Sequence, residues 1–560
     1  MKTLRCLLVL CLGCCLGLRA AEAPVRRLPL PVFVDKMQGA WLGQMIGVGW
    51  GAPTEFKVKG AIIPESQMPA WKPEMINQHG NDDCYVEMTF LRTLELYGFD
   101  AALKQAGLDF ANSGYPLWHA NKAGRDNLRR GIAPPDSGHP QFNEHADDID
   151  YQIEADFSGI IAPGLPNQVI ALGEKFGRLM NYGDGLYAGQ FVGGMYAEAY
   201  FESDPWKLVA AGLACVPPES QYAEMIRDLL TWCRENSDWT KTWELVEAKY
   251  HRDPHYTHPF CSKPGGKDAF SIDAKLNGAY IIMGLLYGAG DPARTIAIAC
   301  RCGQDSDCNP ANAAGVLFAA LGAAKIEKHY TEKLDPQRKF SFTDYTVPQV
   351  YAVSEQLARQ AVLRAGGRIE KDAAGVEVLV IPVQTPRPSA LERSWAPGPI
   401  ANSRFTAEEL ATLKREESRS RQGNREGSIC DGRRDTYVVT FNGKNAKADW
   451  FAIPLAKPMH VRRIVFAHGN SFHDGGWFVG KPQVQIQREL GGAWETIGEL
   501  TDYPATTATD HQGLQPGQTF TLKLPAPVKA VAVRVLGVPA CGDNPQQAFS
   551  SCAELQAFGE

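Results

Sequence analysis

The chain has 560 residues, a formal net charge of −6, 44% apolar and 21% charged residues, and 14 cysteines. A length this far beyond one ordinary core predicts at least two domains. The small net charge, with no basic run and no zinc-finger spacing, excludes nucleic acid as the expected partner.

Met1 to Arg5 is a short basic segment, Cys6 to Leu18 is apolar, and Ala20-Ala21-Glu22-Ala23 supplies small residues for cleavage. This pattern predicts a secretory signal peptide over 1–23, too short for a membrane span, and a secreted or periplasmic mature chain. No other segment is long and apolar enough to cross a bilayer, so no membrane span is expected. Ten cysteines remain after the leader. Export permits disulfides, and Cys541 with Cys552, or Cys430 with either, are candidates whose connectivity stays open.

Residues 33–50 read as a helix in which Gly39, Gly43 and Gly47 share one face. Each glycine costs about 1 kcal/mol of helix propensity relative to Ala, and close approach of a second helix is the simplest compensation. After Asn81-Asp82-Asp83-Cys84, the apolar face of Val86, Phe90, Leu94 and Tyr97 predicts a packed helix ended by Gly98. Helical periodicity recurs over 167–180, 186–202, 205–214, 219–235, 240–249, 273–288, 291–301, 310–327 and 348–366. Pro310 suits a first helical turn and places Asp305 and Asp307 in the loop before it. The first two-thirds therefore reads as all-α. Cys300, Cys302 and Cys308 lack a fourth ligand at zinc spacing and read as buried thiols.

From Gly375 the pattern alternates, first over Val376–Val383. A polar stretch follows at 384–428, with an amphipathic helix at 406–416, and reads as a partly ordered linker. Beyond it 437–441, 450–454, 461–466, 484–487, 519–524 and 528–535 are short strands between turns, the pattern of a β-sandwich. The turn-rich, aromatic loop His468 to Trp477, which includes His473 and Asp474, is a candidate for ligand contact.

Asn81-Asp82-Asp83-Cys84 and Gly303-Gln304-Asp305-Ser306-Asp307-Cys308-Asn309-Pro310 each pack two carboxylates where a loop becomes a helix. Hard divalent cations require oxygen ligands of this kind, and two dications would balance four carboxylates if the segments meet. The competing account of each is a helix cap, since Asn and Asp favour N-caps and acids in the first turn offset the helix dipole. A rival acidic run, His145 to Asp156, reads as a helix with Asp147, Asp150 and Glu154 on solvated faces; the alternative is that Asp148 or Glu154 lines the pocket. Trp50, Trp118, His119 and Tyr182 could stack on a sugar or base, and single aromatics are more often core.

With a third segment, Gly47-Val48-Gly49-Trp50-Gly51-Ala52-Pro53-Thr54-Glu55, these runs resemble the ADP-ribosylglycohydrolase family over roughly 35–330. Val48 stands where the family has Asp, Asn81 where it has Thr, and Cys308 where it has the last Thr. The family's central substrate motif is not recognisable at Glu154 to Gly164. The resemblance implies a compact helical hydrolase domain over 30–370 with two Mg²⁺ ions, Mn²⁺ being an alternative, held by Asn81, Asp82, Asp83, Asp305, Asp307 and Cys308. A thiol is mismatched to Mg²⁺, so Asp305 and Asp307 are expected to carry the second side, with Asn309 or a backbone oxygen helping. Glu55, Asp83 and Asp305 are the expected catalytic residues: Asp83 or Asp305 takes a proton from water, and Glu55 closes over the site.

The expected fold is multidomain: the all-α domain, a short strand and linker over 371–425, and an all-β sandwich over 426–560. The sandwich resembles discoidin-like, galactose-binding-type modules. The expected function is cleavage of a glycosidic bond at the anomeric carbon of a ribosyl or other sugar, with a small-molecule or glycan substrate and a carbohydrate ligand on the sandwich. The alternatives are a glycan- or nucleoside-directed glycosidase unrelated to ADP-ribose, and a non-catalytic carbohydrate-binding surface protein.

Overall fold

The computed structural model describes residues 24–260, 270–413, 417–418, 429–430, 432–441, 445–489 and 491–559. The expected leader, 1–23, lies outside them. Helices fill the first two-thirds, and each segment with helical periodicity is a helix or most of one. Among the described residues no helix is long and apolar enough to cross a membrane.

The first helix, α1 (Leu30–Gly51), lies along the helix Cys308–Leu321 with backbone against backbone. A Cβ on Gly39, Gly43, Gly47 or Gly51 would sit 2.4, 2.6, 2.2 or 2.1 Å from the carbonyl oxygens of Phe318, Ala314, Pro310 and Ser306. Both series step by about one helical turn and run in opposite directions, so the helices are antiparallel and in fixed register. This is the close approach that the glycine spacing predicts. It brings the end of α1, and Glu55 beyond it, beside the loop that carries Asp305 and Asp307.

Strand β1 (Val25–Pro29) enters α1 directly and pairs with a strand from far along the chain. The sheet order is β1-β3-β2, all antiparallel, with β2 Arg368–Lys371, β3 Glu377–Pro382 and Leu28 opposite Leu379. The segment 384–413, read as part of a linker, is a strap laid on the helices. Asn167 donates to Thr385 O, Gln190 to Ser389, Tyr187 to Ala390 O and Arg178 to Glu392, while Ser394 donates to the buried Asp147. Trp395 stacks on His258 at 3.7 Å, and Asp136 accepts from the backbone of Ala401 and Ser403 and from Arg404. The short helix within it spans Ala407–Ala411, capped by Thr406.

The C-terminal region is a β-sandwich whose strands run in the order β5-β10-β6-β9-β7-β8, with β4 on β6. These strands are β4 Glu417–Ser418, β5 Val438–Val439, β6 Asp449–His468, β7 Phe478–Gln487, β8 Glu495–Glu499, β9 Thr519–Pro539 and β10 Ser551–Phe558. Its core holds Phe451, Phe466, Trp477, Phe478, Tyr503 and Leu555. The sequence pattern divides β6 and β9 into two strands each. They are continuous, and register shifts fall between Pro454 and Met459 and between Val461 and Arg463, where the alternation breaks. Cys541 and Cys552 do not pair: the Cys541 thiol donates to the carbonyls of Ala508 and Gly542, and Cys552 is buried in β10. His468 and Trp477 are core residues, whereas His473 is exposed and pairs with Asp543 at 3.1 Å.

Candidate metal centre

Asn81 is the N-cap of helix α2 (Asp82–Tyr97), and its Oδ1 accepts the Asp83 backbone N–H at 2.9 Å. Its amide also donates to Asp307 Oδ2 at 3.2 Å, 226 residues along the chain. The run is therefore a helix cap that also meets the second carboxylate run. Asp83 points inward and is fully buried, while Asp82 faces the cavity beside it.

The second loop is shaped by backbone strain and by bonds to the Glu55 segment. Gly303 and the non-glycine Gln304 both adopt positive φ, 87° and 57°. Gln304 N donates to Val58 O at 3.1 Å, Phe56 N donates to Gln304 O at 3.0 Å, and the Thr54 and Ser306 hydroxyls lie 2.8 Å apart. Glu55 is thus tethered on both sides to the loop holding Asp305 and Asp307. Asp307 is the residue before the helix Cys308–Leu321, which begins two residues earlier than Pro310 suggests.

Ligand atoms of Asp83, Asp307 and Cys308 lie within 4.8 Å of one another, as do those of Glu55, Asp305 and Asp307. Asp307 belongs to both groups and so links them into one cluster. Both oxygens of Asp83, one of Asp305 and the Asn309 side-chain oxygen are buried without a hydrogen-bond partner. Buried acceptors left in this state are costly, so the residues fit a cation that would complete them. Burial raises the Asp82 carboxyl to about 6, with Asp307 adding to it. Burial and then Asp307 hold Asp83 and Asp305 well above the ordinary carboxylate range. Glu55, at the exposed rim, is raised to about 8 by desolvation in the cleft, then by Asp307 and Asp82. The Cys308 thiol is likewise driven up by burial and the surrounding acids, and donates to Asp307 Oδ1 at 3.6 Å. A protonated thiol in that position supports a ligand rather than acting as one for a hard cation.

Behind the cluster lies a second polar layer. Gln44 on α1 donates to Asp83 O at 3.1 Å and to Glu87 at 2.6 Å, and Glu87 accepts the Phe157 backbone N–H at 3.0 Å. Asp156 accepts from Tyr196 at 2.9 Å and Asn312 at 2.7 Å.

In front of the cluster is a cavity of about 460 Å³ whose described lining includes Glu55, Asp82, Asp305, Phe56, Trp118 and Phe270, with His119, Asn121 and Asp150 among the rest. Of the aromatics singled out in the sequence, Trp118 and His119 reach it. Trp50 packs on Trp71 and Tyr330, and Tyr182 packs on His139. The solvated-face reading of 145–156 is wrong: Asp147, Asp150 and Glu154 are all buried. Asp150 caps the helix His119–Arg129, accepting from Ala120 N and Asn121 N at 3.3 and 2.9 Å, and also lines the cavity. Glu154 is fully buried and accepts from Asn121, so it stands behind the wall. Phe56, Asn121 and Phe270 escaped the sequence reading, because nothing local distinguishes them from core or loop residues.

The chain matches the family model described as ADP-ribosylglycohydrolase over residues 29–368. No curated protein matches it. Among solved structures, an ADP-ribosylglycohydrolase-related protein complex is similar at 16% identity, covering 59% of this chain and 99% of its own, with a TM-score of 0.38. The family 32 carbohydrate-binding module of C. perfringens NanJ, in complex with galactose, is 19% identical over 26% of this chain and 92% of its own, with a TM-score of 0.20. Chitosan-binding module 1 of a Paenibacillus sp. IK-5 chitosanase/glucanase is 17% identical over 26% and 95%, with a TM-score of 0.19.

Proposed function

The chain belongs to the ADP-ribosylglycohydrolase family, and on that premise we propose that it is an exported, metal-dependent hydrolase that cleaves a glycosidic bond at the anomeric carbon of a ribosyl or other sugar. The observation that carries this reading is the convergence of Asp83, Asp305, Asp307 and Glu55 beside one cavity, which Glu55 and Asp305 line, with oxygens of Asp83 and Asp305 left unpaired. Asn81, Asp82, Asp83, Asp305 and Asp307 would hold two cations of the Mg²⁺ class, since the oxygens are hard donors. When bound, such ions polarise a coordinated water and orient it. Asp83 and Asp305 each keep an oxygen able to accept the proton of that water. Glu55, tethered at the rim, orients the sugar above them.

The described lining is acidic and aromatic. Carboxylates and the Asn121 amide suit sugar hydroxyls, and Phe56, Trp118 and Phe270 offer faces to a ring. The family's central substrate motif is also not recognisable at Glu154 to Gly164. This favours a nucleoside- or glycan-like substrate over ADP-ribose. Export rests on the basic, apolar and small-residue order of 1–23. For the sandwich we propose a carbohydrate ligand near the exposed His473 and its partner Asp543.

The test is sugar release from a panel of ADP-ribosyl compounds, nucleosides and glycans, by chelator-treated protein with and without Mg²⁺ or Mn²⁺. Turnover only after metal is restored is the expected result. Full turnover in excess chelator would refute the metal-dependent reading.

A further inference from the structure

His119, in the wall of the cavity that fronts the aspartate cluster, belongs to a group of a different chemical kind. His145 Nδ1 lies 3.0 Å from Asp148 Oδ2, and His119 Nδ1 lies 3.8 Å from the same oxygen. The ligand atoms of all three residues fall within 4.8 Å of one another. For nitrogen and oxygen ligands about 2.0–2.1 Å from a tetrahedral metal, ligand atoms stand about 3.3 Å apart, so the separations of 3.0 and 3.8 Å bracket what a shared ion needs. Asp148 is fully buried, while the histidine side chains are 31% and 27% exposed, so the group opens towards solvent through its imidazoles.

The scaffold around the three is already set. His119 starts its helix at a φ of 44°, which turns its ring away from the helical path, and it stacks on Phe270 at 5.8 Å. Asn143 accepts the His145 backbone N–H at 3.0 Å and donates to Ala120 O at 3.1 Å, tying the two histidine segments together. With His145 Nδ1 directed at the centre, its Nε2 lies 3.8 Å from the exposed Glu144 carboxylate.

We propose that His119, His145 and Asp148 form a separate cation site that takes a transition-metal dication of the Zn²⁺ class, beside the cavity that His119 lines. Two imidazoles and one carboxylate prefer such an ion over Mg²⁺, whereas the oxygen-only aspartate cluster prefers the reverse. The site holds whether or not the hydrolase reading is right, because it uses none of the aspartate cluster.

The test is calorimetry with Zn²⁺ on the full chain held in excess Mg²⁺, together with the visible spectrum of the Co²⁺-loaded protein. One Zn²⁺ equivalent is expected in the natural protein and in Asp305→Asn. His119→Gln and His145→Gln should weaken it by about 100-fold or more and bleach the Co²⁺ band. His119 is partly exposed, so His119→Gln keeps the assay valid if Asp148→Asn fails to fold; unfolding transitions report which variants are native. Absence of Zn²⁺ binding in excess Mg²⁺, or unchanged binding by both histidine variants, would overturn the site and leave an Asp148–His145 ion pair in its place.

Discussion

Replacing Asp82 with Asn should stabilise the metal-free protein at neutral pH and weaken its hold on Mg²⁺. The Asp82 carboxyl moves from 3.8 to about 6 on folding, because burial and Asp307 both oppose its charge. A raised carboxyl means that the folded state binds the proton more tightly than the unfolded state. The penalty is therefore absent below 3.8, grows as pH rises towards 6 and is complete at neutral pH. Taken whole, the shift corresponds to about 3 kcal/mol; Asp82 borders the cavity, and screening there reduces this to about 1–2 kcal/mol. Thermal unfolding of metal-free protein should then show Asp82→Asn melting about 1–3 °C higher at neutral pH and with no advantage near pH 4. Excess Mg²⁺ should reverse the order, raising the natural protein more than the variant. A metal-free variant less stable than the natural protein at neutral pH, or equally stabilised near pH 4, would refute the claim that carboxylate repulsion is stored in this cluster.

Gly47→Ala would ordinarily gain about 1 kcal/mol of helix propensity. Here its Cβ would meet Pro310 O at 2.2 Å, and overpacking of about 2 kcal/mol should give a net loss in urea unfolding together with weaker Mg²⁺ binding. Glu55→Gln should lower turnover by about 100-fold while changing Mg²⁺ affinity less than about tenfold, because Glu55 sits at the rim and acts mainly through positioning; calorimetry and kinetics on one preparation separate the two. A fragment over 414–560, which keeps the pairing of Glu417 with Ala452, should melt cooperatively and above a fragment over 426–560, which lacks it.

What the sequence made legible was periodic or local. Helical stretches announced themselves by apolar spacing, the α1 glycines by their four-residue step, and the carboxylate pairs by sitting at helix starts. The helix His119–Arg129 was missed because His119, Asn121, Lys122 and Arg125 leave too few apolar positions to show a period. Asp147, Asp150 and Glu154 were misplaced for a related reason: charge on a helix usually means solvent, and here each carboxylate has a partner far along the chain, such as Ser394 for Asp147. The strap was unreadable as structure because its bonds are made almost entirely to other segments. The cavity wall fared likewise, since Phe56, Asn121 and Phe270 acquire meaning only when three distant segments meet.

The strap also bears on how the protein is made. Synthesis runs from the N-terminus, and the last long helix, Val347–Arg364, is complete well before the residues that cover the helical body. Strand β1 waits more than 340 residues for β3, and Asp136 waits 265 for Ala401. A nascent chain that stops near the end of the family match therefore carries an unpaired strand edge and polar groups without their covers. Emergence of about forty further residues closes both, so a ribosome stalled between 368 and 404 should present a binding surface for chaperones that the finished molecule lacks.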